Sequence, residues 1–410
     1  MNPQTRSSGE GRRPRIAFVS FMCLLDAHSG AARSVRTMLE MLAAEGFECR
    51  SITTAIFDGN EEYPRARAFG QGATAENIGK ILRLDRNGVA HHVLYTESSQ
   101  GGKFSLAQRN GFVGYAIEHL KQFQPDVIIS YGSSESTADF VSRIRGLAPK
   151  FIFYLGNPNI DRAELFAPGD IIFCPTQAQV DRYRERLGLR GHVFRTPIGA
   201  ENAADPKRTL ALNHPGARKK GFVTFINPGF EKGATLAFTL ARRALRERPD
   251  ITFLVVEGRT KRAFWERNGS AAVNFPNIWW IPNQTDVPRI YERTSVLLFP
   301  SFWFEVAGRC IAEAQLGGIP VLASSHGGIP EQLNGGGFMF DIPEACKTNH
   351  RTVPDAEAVA PWFDTLTRLM DDDQAYAQAT ARALDAAAIY DRAKRQPQVA
   401  QLFRQLIAGT

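Results

Sequence analysis

The sequence has few cysteines and no long apolar run. Its 410 residues include only five cysteines, at positions 23, 49, 174, 310 and 346, and no two of them have C-x-x-C spacing. An odd number of cysteines without that spacing argues against a disulfide framework and a structural zinc site, and favours a reducing compartment. No apolar stretch reaches the roughly 18 residues of a membrane span. No apolar segment follows the basic N-terminus as a secretory signal requires, so we expect a cytoplasmic protein.

Basic residues outnumber acidic ones only slightly. Lys and Arg number 49 against 42 Asp and Glu, which gives a net charge of +7. Four arginines and one glutamate stand in the first fifteen residues, and we expect residues 1–14 to form a disordered basic tail. The remainder shows no basic stripe that could follow a phosphate backbone, which argues against nucleic acid as a partner.

Short apolar runs alternate with helical patterns along the whole chain. The runs are continuous rather than alternating, which is typical of strands buried on both faces of a parallel sheet. They lie at 16–21, 47–53, 93–96, 127–129, 151–155, 171–174, 193–194, 222–226, 251–256, 278–281, 296–299 and 319–323. Repeated β-α units predict an α/β fold with doubly wound sheets.

The pattern restarts near residue 220, after a polar stretch with Pro and Gly. We therefore predict two Rossmann-like doubly wound domains facing a cleft, because ligands of such sheets bind beyond the carboxyl ends of the strands. The predicted parts are an N-terminal domain at 15–200, a linker at 201–220, a C-terminal domain at 221–385 and a helix at 386–410 that packs back on the N-terminal domain. Within the last region we expect helices near 355–370 and 374–408. Trp279 and Trp280 are expected in the core.

The segment after the run at 296–299 carries the most chemistry. Glu305 ends the loop beyond that strand, Gly308 stands where a helix should begin, and Glu313 lies in the second turn of that helix. The free N–H groups around Ala307 and Gly308 suit a diphosphate. Glu313 could accept two hydrogen bonds from a ribose, and Glu305 could reach the sugar beyond the phosphates. The pattern indicates one site for a sugar nucleotide.

This segment resembles the retaining glycosyltransferases of family 4 (glycosyl transferases group 1), which have the GT-B fold. Their E-x7-E motif corresponds to Glu305 and Glu313, their GxPV strand to Gly317–Val321, and their GGxPE loop to Gly327–Glu331. The resemblance extends over about residues 16–390. It implies that Glu305 contacts the donor sugar and Glu313 the ribose. The alternative is that both are exposed helix carboxylates.

The segment 225–233 resembles the family's second donor-binding loop. Lys232 matches the family lysine, which would neutralise a departing diphosphate; alternatively it is a solvated turn lysine. Where the family has an arginine, this chain has Asn227. Asn227 could donate a neutral hydrogen bond to the donor, or a cation from elsewhere could substitute, and Arg259 and Arg309 are the candidates.

The loop before the first helix is the third part of the resemblance. Ser29-Gly30 retains one glycine of the family's Gly-Gly pair, so Gly30 is a donor-site candidate, although Ser29 could simply be a helix N-cap. His28 in this loop is either an acceptor-side base or a surface histidine. The histidine that many family members have after an N-domain strand is missing, and three weaker candidates for handling the acceptor proton are Asn157, Ser133 and Glu135.

No cofactor or metal is expected. The D-x-D in Asp371–Asp373 follows a helical run rather than a buried strand, so we interpret it as a solvated helix junction rather than a metal site. Gly335-Gly-Gly337 lacks the strand-to-helix context of a dinucleotide loop.

We predict a metal-independent glycosyltransferase that moves a sugar, with retention, from a nucleotide diphosphate sugar to a hydroxyl acceptor such as a glycan, a lipid-linked sugar or a natural product. The alternatives are an epimerase or phosphorylase of the same fold and a non-catalytic two-lobed sugar-binding protein. An alternative to a purely cytoplasmic location is peripheral contact with an anionic membrane at the inner membrane face, for which the basic tail and four further arginines would supply the charge. These four are Arg65, Arg67, Arg83 and Arg86.

Overall fold

A computed structural model describes residues 12–58, 62–63, 65–213, 221–284 and 286–409. Contacts divide the chain into two compact units. In their described parts, unit 1 comprises Met1–Tyr154, Arg162–Ile171 and Gln396–Thr410, and unit 2 comprises Leu155–Asp161 and Ile172–Arg395. No helix in the described ranges is long and apolar enough to cross a bilayer. The five cysteines are free thiols.

The first sheet has eight strands within the described residues, in the order β3-β4-β2-β1-β5-β6-β7-β8. β3 runs antiparallel to β4, whereas β1 is parallel to both β2 and β5. The strands are β1 (Arg15–Val19), β2 (Glu48–Thr54), β3 (Ile81–Arg86), β4 (Val89–Leu94), β5 (Val127–Ser130), β6 (Lys150–Tyr154), β7 (Ile171–Cys174) and β8 (Gly191–Val193).

The second sheet has six strands in the described chain, in the order β11-β10-β9-β12-β13-β14. Within the described residues, its neighbouring strands pair in parallel. The strands are β9 (Phe222–Ile226), β10 (Phe253–Val256), β11 (Ile278–Ile281), β12 (Thr294–Phe299), β13 (Val321–Ser324) and β14 (Phe338–Phe340). Two parallel-sheet α/β halves confirm the predicted fold class.

Helices connect the strands as the βα pattern requires. They are α1 (Gly30–Ala44), α2 (Ala66–Phe69), α3 (Leu106–Phe123), α4 (Glu135–Ile144), α5 (Gln177–Leu187), α6 (Leu210–Asn213), α7 (Ala234–Glu247), α8 (Arg262–Arg267), α9 (Pro288–Glu292), α10 (Arg309–Gln315), α11 (Ile329–Leu333), α12 (Glu344–Thr348), α13 (Ala356–Asp371), α14 (Asp373–Ala387) and α15 (Arg392–Ala408). In α1 the side chains of Val35, Met38, Leu39 and Leu42, spaced i, i+3, i+4 and i+7, form an apolar face that is fully buried.

All twelve predicted apolar runs coincide with strands, whereas β3 and β14 were missed. β3 is an edge strand with the sequence ILRLDR and little burial, so it has no continuous apolar run. β14 has only three residues. The placement of Trp279 in the core was wrong: its side chain is 60% exposed, and it lies on β11, an edge strand of the second sheet.

The C-terminal region also departs from the prediction. The single helix expected at 374–408 is two helices, α14 and α15, with a break at Ala388–Asp391. The side chain of Asp372 accepts hydrogen bonds from the first N–H groups of α14, and Asp371 pairs with Arg248 at 2.7 Å. The Asp triplet is thus the helix junction that was expected.

Two predicted connecting regions fall partly outside the described residues. Of the tail at 1–14, residues 1–11 are not described, while the Arg12 guanidinium lies 2.6 Å from Asp126. Residues 214–220 of the predicted linker are likewise not described, and the boundary at 201–220 stays a prediction. In unit 1, Gln396 of α15 donates a hydrogen bond to Glu45 at 3.0 Å.

Unit 1 contains a cluster of histidines between β4 and α3. The hydroxyl of Ser51 lies 2.7 Å from His91 Nδ1. His92 Nδ1 lies 2.7 Å from the Tyr115 hydroxyl, and the rings of His92 and His119 are 4.4 Å apart. Two imidazolium ions at that separation would repel each other, so the packing favours neutral rings.

Burial and nearby positive groups lower the pKa values of these histidines. Burial, with Arg36 and Arg86 adding to it, lowers the pKa of His91 to about 3. Burial and then His119 lower the pKa of His92 to about 4. The pKa of His119 is also lowered, by burial and by Arg50, whose Nη1 lies 3.2 Å from its Nε2.

We expect the free energy of unfolding to fall as the pH drops from about 6.5 towards 4. The unfolded histidines take up protons near pH 6.5, whereas the folded ones resist protonation, so acid favours unfolding by up to about 1.4 kcal/mol per pH unit for each histidine. Urea unfolding at pH 7.5, 6 and 5 measures this slope. In a His92→Gln/His119→Gln variant the slope should be smaller, and an equal slope would contradict the assignment.

Candidate functional site

The donor-site candidates of unit 2 meet at the point where its strand order reverses. β9 pairs with β10 on one side and with β12 on the other. The carboxyl ends of β9 and β12 therefore lie next to each other, with the loops 227–233 and 300–308 beyond them. Such a switch point is where open α/β sheets bind ligands.

Lys232 and Glu305, from these two loops, form an ion pair. The ammonium of Lys232 lies 2.5 Å from Glu305 Oε1, and the Glu305 side chain is only 10% exposed. Ser301 donates a hydrogen bond to the same oxygen at 2.8 Å. The structure thus brings together the two residues predicted to be catalytic, and it adds Ser301, which sequence reasoning missed although it lies four residues before Glu305.

The loop that carries Glu305 is fixed by backbone contacts. Phe302 N and Trp303 N both donate to the carbonyl of Glu231, at 3.0 and 2.9 Å, which ties the loop after β12 to the loop after β9. The hydroxyl of Ser324 donates to the carbonyl of Ser301 at 2.6 Å. These bonds hold the two catalytic candidates in register with each other.

The GGxPE loop supports the same segment from a third side. Gly328 N donates to the carbonyl of Glu305 at 2.7 Å. A Cβ atom at Gly328 would lie 2.2 Å from the Val306 carbonyl oxygen, so only glycine allows this approach. Glu331 at the end of the motif accepts hydrogen bonds from the N–H groups of Gln177 and Ala178, both at 2.7 Å. It therefore caps the N-terminus of α5, a role the sequence did not suggest.

The start of α10 follows the predicted geometry. Gly308 is the N-cap with φ +77°, a left-handed conformation that glycine adopts without strain. Ala307 beside it is buried. α10 has only seven residues, so any stabilisation of a diphosphate there comes from the peptide N–H groups of Ala307 and Gly308 rather than from a long helix dipole.

Glu313 is almost completely buried. Its side chain is 1% exposed. Oε2 accepts a hydrogen bond from the Tyr291 hydroxyl at 3.0 Å, and Oε1 lies 3.4 Å from Arg309 Nε. Arg309 Nη1 in turn donates to the carbonyl of Pro197 at 2.8 Å. The candidate cation Arg309 is thus held by Glu313 and a backbone carbonyl.

Asn227 and Arg259 lie in two neighbouring loops. Asn227 has φ +60°, a conformation that asparagine tolerates better than arginine does. Its Oδ1 accepts hydrogen bonds from Arg259 N at 2.9 Å and Thr260 N at 3.4 Å. Asn227 therefore orders the loop on which the exposed side chain of Arg259 stands.

The remaining candidates lie in other parts of the chain. Gly30 is the first residue of α1, and Ser29 caps that helix by accepting from Ala32 N. Tyr183 donates a hydrogen bond to the Asn157 carbonyl, and Asn157 Oδ1 accepts one from Asn159 N. Glu135 is the first residue of α4, one position after its cap Ser134, and Ser133 precedes that cap.

Two of the arginines predicted to contact a membrane are bound within unit 1. Arg65 donates to the carbonyls of Thr96 and Glu97 and lies 4.4 Å from the Tyr95 ring centroid. Arg86 donates to the carbonyl of Ala68 at 2.5 Å. Membrane contact stays a prediction.

A family model matches the part of the chain that carries the candidate residues of unit 2. Residues 215–351 match the family model described as glycosyl transferases group 1, and this range includes Lys232, Glu305 and Glu313. No curated protein sequence matches the chain significantly.

Solved structures share the fold of the chain at low sequence identity. Sucrose-phosphate synthase from Thermosynechococcus elongatus is 14% identical with a TM-score of 0.70, over 97% of this chain and 100% of that one. Anabaena HepE in complex with UDP-glucose is 13% identical with a TM-score of 0.66, over 95% and 99%. WaaG, a glycosyltransferase involved in lipopolysaccharide biosynthesis, is 14% identical with a TM-score of 0.60, over 96% and 100%. The chain therefore has the GT-B fold, and its residues 215–351 match the model for glycosyl transferases group 1.

Proposed function

We propose that the protein is a glycosyltransferase that moves a sugar from a nucleotide diphosphate sugar to a hydroxyl group, with retention of the anomeric configuration and without a metal. The observation that carries this proposal is the pair of Lys232 and Glu305 at the switch point of the second sheet. The matched family region over these residues supports it. The acceptor would be a glycan, a lipid-linked sugar or a natural product.

Lys232 supplies positive charge where a diphosphate leaves. When the bond between the anomeric carbon and the diphosphate breaks, negative charge grows on the phosphate oxygens, and an ammonium ion nearby lowers the energy of that transition state. In the structure the Lys232 ammonium lies 2.5 Å from Glu305 Oε1. We infer that the diphosphate of the bound donor replaces Glu305 as the partner of this ammonium. Glu305 is then available to the hydroxyls of the donor sugar, and Arg259 is the additional cation.

A panel of nucleotide sugars tests the proposal. UDP-glucose is the first donor to try because HepE was solved with it, followed by ADP-glucose and GDP-mannose. The expected results are a raised melting temperature with one donor and nucleotide release that increases with acceptors such as p-nitrophenyl glycosides. A new sugar nucleotide formed without acceptor would instead show an epimerase, and phosphate dependence a phosphorylase. Binding without any transfer would indicate a sugar-binding protein. NMR of the product tests retention.

Glu313→Gln should weaken nucleotide binding about tenfold. We propose that Glu313 accepts hydrogen bonds from the donor ribose after Arg309 has moved aside, and loss of one charged acceptor costs about 1.4 kcal/mol. Calorimetry with the nucleotide identified by the panel measures the change. Tyr291→Phe is the control because it removes only the hydroxyl that Glu313 Oε2 accepts from. A lower melting temperature with unchanged affinity in Glu313→Gln would show a structural carboxylate instead.

A further inference from the structure

An arginine lies in line with the buried apolar face of α3. The buried side chains of this helix include Phe112, Val113, Ala116 and Leu120, which follow one another at helical spacing. Arg109 stands three positions before Phe112 and four before Val113, so it continues the same face towards the start of the helix. A charge in line with a buried apolar face needs a physical reason, because taking a charge out of water costs free energy.

The guanidinium of Arg109 has no polar partner among the described residues. Its Nε atom is buried, and no described residue accepts a hydrogen bond from the group or forms an ion pair with it. In the same unit, by contrast, Arg145 pairs with Asp170 at 2.8 Å. An arginine is always charged and carries five N–H donors, so a partly buried one is normally matched by acceptors. The Arg109 side chain is half-buried, so part of it can be reached by a ligand.

Two aromatic rings hold the guanidinium in position. The Cζ atom of Arg109 lies 5.9 Å from the ring centroid of Phe21 and 5.7 Å from that of Phe104. These two rings are 5.8 Å apart, and Phe21 also packs against Phe140 of α4, with centroids 4.8 Å apart. Cation–π contacts orient a guanidinium but do not use the N–H groups in its plane as hydrogen-bond donors. The group is therefore held while its donors stay available.

Arg109 lies at the edge of the first sheet where ligands bind. Phe21 follows β1, and α3 begins beyond the loop that follows β4. β1 and β4 are both parallel to β2, so the two segments leave the sheet at its carboxyl edge. Open α/β sheets bind ligands beyond that edge. All of these groups belong to unit 1.

We propose that Arg109 binds the phosphate or carboxylate group of a small-molecule ligand on unit 1. Such an oxyanion meets the planar guanidinium through two parallel N–H···O bonds and supplies the partner that the chain does not. The rings of Phe21 and Phe104 lower the local dielectric constant, which strengthens the ion pair. The ligand class is a small organic anion, such as a sugar phosphate or a sugar acid. The inference goes beyond the proposed transfer reaction, because it concerns binding to unit 1 alone.

A structural arginine would make different contacts. Arg65, for example, donates to the backbone carbonyls of Thr96 and Glu97 and so ties two segments of unit 1 together. Arg109 makes no contact of this kind in the described chain. Removal of a partly buried charge without a partner should leave the ligand-free protein at least as stable as before, whereas removal of a structural arginine would destabilise it.

Arg109→Gln tests the site through the melting temperature. In the wild type, glucose 6-phosphate or glucuronate at about 10 mM should raise the melting temperature, because a ligand that binds only the folded state stabilises it. Glucose, which carries no charge, should not. The variant should match or exceed the wild-type melting temperature without ligand and should lose the rise. Arg143→Gln is the matched control, since Arg143 is exposed in the last turn of α4, and it should keep the rise.

Calorimetry measures the change in affinity. The dissociation constant of the anion that binds should increase at least about tenfold in Arg109→Gln. Arg109→Lys should recover only part of this loss, because an ammonium keeps the charge but not the planar fork that pairs with two oxygens. Lys232→Met should bind these anions as the wild type does, since Lys232 belongs to the candidate site of unit 2. Failure of the anion site and failure of the proposed transferase are therefore separate results.

Vesicles that contain phosphatidylglycerol show whether the phosphate can be that of a lipid headgroup. Binding of either the vesicles or a soluble anion supports the proposal if Arg109→Gln abolishes it. The proposal is overturned if none of these probes binds the wild type, or if binding persists in Arg109→Gln. It is also overturned if Arg109→Gln lowers the melting temperature of the ligand-free protein and Arg109→Lys restores it without any anion binding, because Arg109 would then be structural.

Discussion

Lys232→Met is expected to lower the turnover number about 100- to 1,000-fold. Methionine keeps the length and apolar stem of the lysine but removes the charge, and the loss of one group that stabilises developing negative charge costs this much in other enzymes. The loops that carry Lys232 and Glu305 are joined by backbone hydrogen bonds to Glu231, which the substitution does not touch. The fold should therefore survive, and single-turnover nucleotide release measures the chemical step.

The control for Lys232→Met is Lys347→Met. Lys347 pairs with Glu344 at 3.0 Å within α12 and has no predicted part in the site. It should keep the wild-type rate, because a surface ion pair contributes little. If Lys232→Met also kept the wild-type rate, Lys232 would be the solvated turn lysine that the sequence left open.

Glu305→Gln should also lower the turnover number about 100-fold or more, with nucleotide affinity no weaker than in the wild type. Glu305 is assigned to the sugar, so its loss affects transfer rather than nucleotide binding. The substitution also frees the Lys232 ammonium from its carboxylate partner, which favours binding of a diphosphate. A parallel loss of nucleotide affinity would argue against Glu305 contacting the sugar.

The two substitutions together show whether Lys232 acts directly. If Lys232 only positioned Glu305, Lys232→Met would not lower the turnover number further in a Glu305→Gln background. We expect Lys232→Met to lower the turnover number at least about tenfold in that background, because the proposed role of the ammonium is to contact the diphosphate itself. Ser301→Ala is the matched variant for positioning, since it removes the 2.8 Å hydrogen bond to Glu305 but no charge. Its effect should stay below tenfold and should vanish in the Glu305→Gln background.

Much of the candidate donor site could be predicted because its residues lie close together in the chain. Glu305, Gly308 and Glu313 belong to one strand–loop–helix unit, whose period and glycine indicate where the helix begins. Lys232 belongs to a second unit of the same kind. Parallel strands that feed helices place their following loops at one edge, so the meeting of the two loops follows from the βα pattern.

The partners of these residues could not be predicted, because they come from distant parts of the chain. Tyr291 lies 22 positions before its partner Glu313. Pro197, whose carbonyl accepts a hydrogen bond from Arg309, lies 112 positions before Arg309. Glu331 caps α5 across more than 150 positions. Single-sequence patterns report local periods and caps, whereas these contacts depend on how elements pack. For the same reason the sequence could not show that Arg309 is held by Glu313 and Pro197.

The sequence by itself determined the α/β fold and the strands with continuous apolar runs, because both depend on short-range patterns, and its family resemblance made Glu305 and Lys232 candidates for one donor site. Only the tertiary structure decided which oxygens and nitrogens are engaged. In the folded chain the Glu313 carboxylate contacts Tyr291 and Arg309, and Asn227 accepts hydrogen bonds that order a loop. His28 lies against the buried Asp26. Packing between elements sets the burial and the hydrogen-bond partners of each side chain, and these determine what chemistry that side chain can perform.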